Sequence, residues 1–253
     1  EPSIDVWAMD VARFGDYASP QYGTIKSSEN YERRFIMTFP NETLPKGRKQ
    51  KTTALYDRFV NQGAVMGDSF GLENVLWFAN NKEDAHEDPT IKRSRSHDYV
   101  SKEVINVREN VGLIEVANFS KHEFKGPDAR KFLDYIMAGR LPKPGRISLS
   151  PMLSYRGKLC GDLTVACLDE NEFMVFGSGA AQAMHRRWFE SHLDKFNLSY
   201  SNRSDEYHGL SVAGPNSRKV LEKIVRDDVS NEKFKFRDSR RMFVGGVPAI
   251  INR

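Results

Sequence analysis

The chain has 253 residues, of which 39% are hydrophobic and 28% are charged, and its formal net charge is +4. This length and composition fit one large or two small globular domains and exclude a disordered chain. No apolar run approaches the length of a membrane-spanning helix, and Glu1–Asp5 lacks the basic start of a signal peptide. We therefore expect a protein of the cytoplasm, or of the mitochondrial matrix in a eukaryote, without membrane contact.

Residues 1–95 are predicted to form an irregular connector. Turn-rich stretches such as Phe39–Gly47 interrupt this part, and its one predicted helix is a short amphipathic segment around Leu55–Val60. The aromatic run Leu76–Phe78 supplies apolar surface. We expect this part to pack against another domain through side chains that the isolated chain exposes, namely Trp7, Phe14, Trp77 and Phe78.

This region contains no long block of charges of one sign. Its densest basic stretch, Lys92–His97, follows the acidic stretch Glu83–Asp88 and precedes Asp98. Nucleic-acid binding needs basic residues gathered on one face, so we do not expect a nucleic acid as a partner. An anionic small ligand remains compatible with the net charge.

Regular α+β structure with mixed strand pairing is predicted from about Asp98 onward. A helix runs to Asn110 and ends before Gly112. Further elements follow to the end of the chain, and the second and third strands after position 140 are joined by a short polar turn suited to a hairpin. The predicted elements are strands at 113–116, 147–153, 159–168 and 173–176, and a helix at 180–193.

A duplicated segment suggests internal symmetry. Phe124–Ile136 is echoed by Val212–Ile224, and each copy reads as a strand, a Gly-Pro turn and a helix with an apolar face. Two such strand-turn-helix units predict a pseudo-symmetric layer of helices on a sheet. Common turn chemistry before a helix is the alternative explanation.

The two cysteines, Cys160 and Cys167, lie in one predicted strand at an offset that keeps their Cα atoms too far apart for a disulfide. We expect them to be packing residues in a reducing compartment. In such a compartment the glycosylation-like triplets carry no glycan. These triplets begin at Asn41, Asn197 and Asn202.

Asp162 is out of place in the interior of the predicted strand 159–168, because a carboxylate resists burial there. Alternation of side chains puts it on one face with Cys160, Thr164 and Ala166, which are all small. A carboxylate among small residues indicates the floor of a pocket. A structural ion pair with an arginine is the alternative.

Two other patterns carry less information. Phe176–Gln182 follows a strand and opens a helix as a dinucleotide-binding turn does, but Gln182 replaces the third glycine. Its backbone amides remain available to a carboxylate or phosphate. The histidines have no metal-ligand spacing and form no Ser-His-Asp set, so we expect solvated or packing roles. They are His86, His97, His122, His185, His192 and His208.

Several segments resemble a known family. Gly126–Ala129, Gly161–Val165 and Gly209–Arg218 resemble the folate-binding aminomethyltransferase fold of the glycine-cleavage T-protein. The upstream part resembles the stretch that joins the flavin domain to the folate domain in dimethylglycine and sarcosine dehydrogenases. The segments that carry this second resemblance are Met9–Gly15, Gly47–Arg48, Leu55–Tyr56 and Gly63–Phe78.

The resemblance implies a two-site enzyme of one-carbon metabolism. In that family an FAD domain oxidises a small N-methyl amine to an iminium, and the folate domain passes the one-carbon unit to tetrahydrofolate. The resemblance places the folate-site aspartate at Asp162. It places the lining of the folate pocket at Phe119, Leu149, Thr164, Val175 and Gly177. Residues 1–95 would then connect to the flavin domain, and residues 96–253 would be the first part of the folate-binding domain.

The chain also departs from the family pattern. The glycine-rich flavin fingerprint and the Gly-Glu-Leu-Gly segment, which supplies a glutamate for the pterin, are both missing. The resemblance therefore implies a piece of a longer protein, whose partners are the missing flavin and C-terminal domains. Two alternatives remain: a stand-alone aminomethyltransferase, which the connector disfavours, and a non-catalytic folate-binding module, which Asp162 disfavours.

Overall fold

The computed structural model describes residues 9–40 and 42–253, except for the side chain of Arg13. Trp7, Asn41 and the segment Glu1–Asp5 lie outside the described residues. The rest of the chain divides into two compact units, one formed by residues up to 118 with 210–214, the other by 119–209 with 215–253.

The helices are α1 (Pro20–Glu32), α2 (Tyr56–Asn61), α3 (Ser96–Glu109), α4 (Ala129–Ile136), α5 (Gln182–Glu190) and α6 (Ser217–Ile224). The strands are β1 (Ala64–Ser69), β2 (Leu72–Phe78), β3 (Gly112–Glu115), β4 (Ser120–Lys125), β5 (Arg146–Leu153), β6 (Leu159–Asp169), β7 (Glu172–Gly177), β8 (Ser199–Asn202), β9 (Leu210–Ala213), β10 (Ser239–Val244) and β11 (Val247–Asn252). Within the described residues, none of the helices combines the length and the apolar character that crossing a bilayer requires.

The first unit contains regular structure where the sequence predicted an irregular connector. Helix α1 begins at Pro20 after Ser19, whose Oγ accepts a hydrogen bond of 3.1 Å from the Tyr22 backbone N–H. Strands β1 and β2 form an antiparallel hairpin, and its turn residues Phe70 and Gly71 have φ values of 53° and 81°. Positive φ at both turn positions matches the right-handed twist of the two strands. The interpretation of residues 1–95 as irregular was wrong for α1 and for this hairpin.

The aromatic residues of this hairpin pack inside the first unit. Trp77 is 2% exposed, stacks on Tyr99 with ring centroids 5.0 Å apart, and donates a hydrogen bond from Nε1 to Glu87. Phe78 is half-buried against Phe59. The expectation that both side chains are exposed for a neighbouring domain was wrong, because local partners cover them.

The second unit is built on one sheet with the strand order β5-β6-β7-β4-β8. All four pairings are antiparallel, whereas the sequence predicted mixed pairing. Helices α4 and α5 cover one face of this sheet, and the core lies between them and the strands. Side chains that are completely buried in this core include Phe124, Phe132, Leu133, Leu163, Val165, Phe173, Val175 and Phe189.

The structure confirms the duplicated strand-turn-helix unit. Gly126 and Gly214 hold the two turns with φ values of 133° and 121°, a backbone conformation that favours glycine. A Cβ at Gly126 would lie 2.8 Å from the Cα of Leu198, and one at Gly214 would lie 2.5 Å from the backbone oxygen of Asn110. Each turn therefore needs glycine for its conformation and for the close approach of another segment.

Candidate functional site

The face of the second unit's sheet that α4 and α5 leave open carries the candidate site. Cross-strand pairing aligns Leu149 with Thr164, Thr164 with Phe176, and Phe176 with Lys121. Paired residues in a sheet share a face, so these four side chains form one row across it. Asp162 precedes Thr164 by two residues and therefore lies on the same face, opposite Pro151.

Asp162 presents its carboxylate at the open end of this face. The residue is exposed, and within the described part of the chain its carboxylate forms no salt bridge. The alternative, a structural ion pair between Asp162 and an arginine, is therefore not observed among the described residues. Farther along β6 and β7 on the same face, Ala166 and Met174 are 0% and 1% exposed, so this part of the face is covered.

Two of the expected lining residues, Leu149 and Thr164, share this face with Asp162. Leu149 is 64% exposed and Thr164 is half-buried beside it. Phe119, which immediately precedes β4, is 48% exposed. An accessible carboxylate is thus combined with partly exposed apolar side chains, an arrangement suited to a ligand with a flat apolar ring and a polar edge.

The structure does not bring the other two expected lining residues to this face. Val175 pairs with Val165, and both side chains are completely buried on the helix-covered side. A Cβ at Gly177 would lie 2.5 Å from Leu163 and 3.0 Å from His185, which also belong to that side. The pairing register puts the side chain of Val175 and the Cβ position of Gly177 on the face opposite Asp162, so their side chains do not support the prediction that both residues line the folate pocket.

Cys160 does not share the face of Asp162, although the sequence predicted that it would. The register of β5 and β6 shifts between Met152 and Leu153, a β-bulge that reverses side-chain direction at the start of β6. Cys160 therefore packs against the helix-covered core. It lines a cleft of about 360 Å³ there with Met152, Met184 and His185.

Lys121 is a residue of this face that the sequence analysis missed. It is 3% exposed, and its Nζ donates a hydrogen bond of 2.7 Å to the backbone oxygen of Phe119. Burial lowers the pKa of this amine to about 8, while the charge of Asp205 acts in the opposite direction. Its signal in the sequence was a lysine in the interior of a strand. Lys121 fixes the backbone beside Phe119 at the edge of the candidate site.

The helix-covered side contains a buried polar cluster. His122 is 0% exposed, and its Nδ1 lies 2.9 Å from the Tyr200 hydroxyl oxygen. Burial lowers the pKa of His122 to about 3, with smaller effects from His185 and Arg186 in the same direction. Burial also raises the pKa of Tyr200 and lowers that of His185. The expectation of packing roles is confirmed for His122 and His185, which are neutral core residues.

The remaining patterns do not form a cofactor site. Strand β7 and the strand after α5, β8, are not neighbours, because β4 lies between them in the sheet, so Phe176–Gln182 does not join the adjacent parallel strands of a dinucleotide-binding unit. Among the residues described, no three His, Cys, Asp or Glu side chains gather into a possible metal site.

Comparisons with protein families divide the chain near position 54. The model of the GCVT N-terminal domain matches residues 55–253. The model of the FAD dependent oxidoreductase central domain matches residues 1–53. These matches confirm the resemblance stated from the sequence motifs.

Comparisons with individual proteins point the same way. Human mitochondrial dimethylglycine dehydrogenase is 31% identical over 100% of this chain, which spans 29% of that protein. Human mitochondrial sarcosine dehydrogenase is 25% identical over 97% of this chain, which spans 31% of that protein. The aminomethyltransferase of Thermotoga sp. (strain RQ2) is 26% identical over 80% of this chain, which spans 50% of it. The chain thus spans half or less of the length of each of these relatives.

A solved structure confirms the predicted fold class. The glycine cleavage system aminomethyltransferase T from Bartonella henselae superposes with a TM-score of 0.61 at 22% identity, covering 76% of this chain and 47% of that one. The mixed helix-and-sheet fold of an aminomethyltransferase is therefore shared.

Proposed function

Because the chain belongs to the family of GCVT N-terminal domains, we propose that it is part of an FAD-dependent dehydrogenase of small N-methyl amines such as dimethylglycine or sarcosine. In this proposal residues 1–95 connect to the flavin domain and residues 96–253 form the first part of the folate-binding domain. The GCVT match begins within that connector, at residue 55. The match of residues 1–53 to an FAD oxidoreductase domain supports a dehydrogenase over a stand-alone aminomethyltransferase.

The observation that carries the proposal is the exposed carboxylate of Asp162 beside an apolar surface. Leu149 and Phe119 would contact the pterin ring of tetrahydrofolate, since both present exposed apolar area. When bound, tetrahydrofolate supplies the amine nitrogen that accepts the one-carbon unit. Asp162 would hold that amine by a hydrogen bond and accept its proton, which is the work of a general base. Thr164, next to Leu149 in the row, offers a hydroxyl to a polar edge of the same ligand.

The residues described here do not fit the flavin. The one candidate dinucleotide turn among them, Phe176–Gln182, leads from β7 to β8, which β4 separates in the sheet. In the proposed enzyme the amine is therefore oxidised in a domain outside these 253 residues, and the one-carbon unit reaches Asp162 from there. We assign the protein to the mitochondrial matrix or to the cytoplasm, with folate and the amine as its ligands and neither nucleic acid nor a membrane as a partner.

The substitution Asp162→Asn in the full-length enzyme tests the role of the carboxylate. Asparagine keeps the shape of the side chain but cannot accept a proton, so we expect formation of 5,10-methylenetetrahydrofolate to fall by roughly 10²- to 10⁴-fold. Flavin reduction by the amine, followed by its absorbance in a stopped-flow instrument, should persist. Asp134→Asn is the matched control, because Asp134 is exposed on α4 on the other side of the sheet. Equal loss of both activities in Asp162→Asn would contradict the separation of the two sites.

The same variant distinguishes the non-catalytic alternative. A module that only binds folate would not catalyse the transfer of the one-carbon unit. The rate of 5,10-methylenetetrahydrofolate formation would then be the same in the wild type and in Asp162→Asn. Product formation that depends on Asp162 would therefore exclude this alternative.

A further inference from the structure

Lys121 is a buried cation on the face of the sheet that carries the candidate site. It ends the row of side chains that starts at Leu149, whereas the hydroxyl oxygen of its neighbour Ser120 lies 3.1 Å from the Cβ position of Gly177 on the helix-covered side. Only 3% of Lys121 is exposed. Burial of an ammonium group costs free energy, which a methionine of similar length would not cost. Packing alone therefore does not explain a lysine at this position, and the contacts of its Nζ atom indicate its role.

The Nζ atom of Lys121 links two segments of the chain. It donates a hydrogen bond of 2.7 Å to the backbone oxygen of Phe119, which precedes β4. It donates a longer one, of 3.5 Å, to the backbone oxygen of Ser204, which follows β8. The charge of Asp205 favours the ammonium form of the side chain. Because an ammonium group has three donors, one lysine can hold both carbonyl groups at once.

Further hydrogen bonds hold the segment after β8 against β4. The Ser204 hydroxyl oxygen accepts one of 2.9 Å from the Lys121 N–H, and the Arg203 N–H donates one of 2.8 Å to the Lys121 backbone oxygen. The Ser204 hydroxyl in turn donates to Oδ1 of Asn202 at 2.6 Å. These bonds fix the backbone of Lys121 to the end of β8. The Nζ atom extends this anchor to Phe119, which lies just outside β4.

Building on the proposed function, we propose that Lys121 is a positioning residue of the folate site, whose ammonium group holds the backbone at Phe119 so that the phenyl ring meets the pterin ring. Phe119 is 48% exposed and precedes β4, so strand pairing does not fix its position. A contact residue that is ordered before the ligand arrives loses less conformational freedom on binding. Asp162, which acts in the transfer step, lies on β6, two strands away from β4 in the sheet. Loss of the anchor should therefore weaken the binding of tetrahydrofolate more than it slows the transfer.

The substitution Lys121→Met in the full-length enzyme tests this role. Methionine fills a similar volume but has no donor, so we expect the KM for tetrahydrofolate and its calorimetric Kd to rise by roughly tenfold. The kcat for formation of 5,10-methylenetetrahydrofolate should change by less than about twofold, and flavin reduction by the amine should persist. Lys125→Met is the matched control, because Lys125 lies on the same strand and face with a side chain that is 47% exposed. It should leave both the KM and the Kd at their wild-type values.

Two further measurements separate positioning from a general loss of stability. In a Phe119→Ala background, Lys121→Met should raise the Kd no further, because the anchor then has no ring to hold. In the ligand-free enzyme, Lys121→Met should raise hydrogen exchange by roughly tenfold in residues 118–121 and 203–206 and leave α5 unchanged. Ser204→Ala loses the hydroxyl that accepts the Lys121 N–H and loosens the same anchor from its other side. It should raise the Kd in the same direction, and it replaces Lys121→Met if that variant does not fold.

The inference and the proposed function fail in different ways. An unchanged Kd in a folded Lys121→Met enzyme would overturn the inference, whereas loss of transfer in Asp162→Asn would still support the proposed function. A lower kcat with an unchanged KM would also overturn it, because that pattern indicates structural damage. So would additive effects of Phe119→Ala and Lys121→Met, because Lys121 would then act on the ligand without Phe119. A wild-type enzyme that binds no tetrahydrofolate would contradict the proposed function and the inference with it.

Discussion

His122 and Tyr200 show how a buried pair sets the chemistry of single residues. His122 stacks on Tyr200 with ring planes 16° apart and shares a hydrogen bond with its hydroxyl group. Phe189 closes the cluster at 5.0 Å from the His122 ring. Because this environment excludes water, the imidazole stays neutral in the folded protein, and its role is to pack and to satisfy the tyrosine hydroxyl.

This cluster predicts a pH dependence of stability. The pKa of His122 falls from 6.5 to about 3 on folding, so the unfolded chain binds a proton below pH 6.5 that the folded chain does not bind. Stability is fully present above pH 6.5 and is lost as the pH falls from there toward 3. His122 alone should contribute about 2 kcal/mol of loss between pH 6.5 and 4.5, and His185 adds to it because burial also lowers its pKa.

Urea unfolding between pH 7.5 and 4.5 measures this effect. The double variant His122→Phe/Tyr200→Phe removes both partners of the buried hydrogen bond and should fold, since no polar group is left unpaired. Its free energy of unfolding should fall less steeply with acid than that of the wild type. His97→Gln, at an exposed histidine, is the control and should leave the slope unchanged. Parallel slopes for the wild type and the double variant would contradict the assignment.

At the scale of elements, Arg48 joins the segment before α2 to the β1–β2 hairpin. Its guanidinium pairs with the Glu73 carboxylate through Nε, at 3.0 Å, and through Nη2, and Nη2 also donates to the backbone oxygen of Met66. The Lys49 N–H donates to the same carboxylate at 3.2 Å. Glu73 is 1% exposed, so its charge depends on these partners.

Arg48→Ala should therefore destabilise the first unit by about 3 kcal/mol, because it leaves a buried carboxylate without its main partner. The matched control is Lys46→Ala, whose ion pair with Glu32 joins side chains that are 48% and 59% exposed. An exposed pair of this kind contributes at most about 1 kcal/mol. Chemical denaturation measures the free energy of unfolding of both variants. Equal losses of stability in Arg48→Ala and Lys46→Ala would contradict the prediction, because they would show that the burial of Glu73 has no effect.

The sequence predicted those elements whose side chains are periodic. The β6–β7 hairpin and helix α5 follow alternating or helical apolar patterns, and Gly126 marks its turn because no other residue fits there. Helix α1 was missed because it buries only Tyr22 and Glu29, which leaves no apolar stripe to detect. Its only sequence signal was Ser19 followed by proline.

The sequence predicted correctly only those neighbours of Asp162 that lie on its own strand, β6. Alternation along β6 correctly placed Asp162 with Thr164. The same alternation put Cys160 on the wrong face, because a β-bulge at the start of β6 reverses the direction of its side chain. The face of Val175 could not be predicted from β7 alone, because it depends on the pairing of Val175 with Val165. Register and bulges arise from contacts between strands, and one sequence read strand by strand does not contain them.

At the scale of the whole molecule, the second copy of the duplicated unit does not repeat the site. The bridges that follow α4 and α6 relate the two copies, and the pairing registers put Pro248 at the position of Asp162 and Ile250 at that of Thr164. The internal symmetry thus extends to the backbone and the helices but not to the chemistry. The candidate site on the open face of the five-stranded sheet is therefore not duplicated among the described residues.

This open face predicts how the isolated 253-residue chain behaves. Leu149 and Phe119 are 64% and 48% exposed, so the surface around Asp162 is not an enclosed pocket. Ligands bind weakly to a site that surrounds only part of them, because few contacts offset the loss of their translational freedom. The isolated chain should also be colourless, since the residues described hold no flavin site, and its exposed apolar side chains, such as Phe35 at 93%, should promote association.

Calorimetric titration of the isolated chain with tetrahydrofolate measures this expectation. We expect a Kd weaker than about 1 μM, a binding free energy smaller in magnitude than about 8 kcal/mol. The full-length protein is the control and should bind more tightly, because further polypeptide would cover the face that carries Leu149 and Phe119. Micromolar or tighter binding by the isolated chain would show that Asp162 and its neighbours already form a complete folate site. Any such binding should weaken in the Asp162→Asn chain, whereas Asp134→Asn should leave it unchanged.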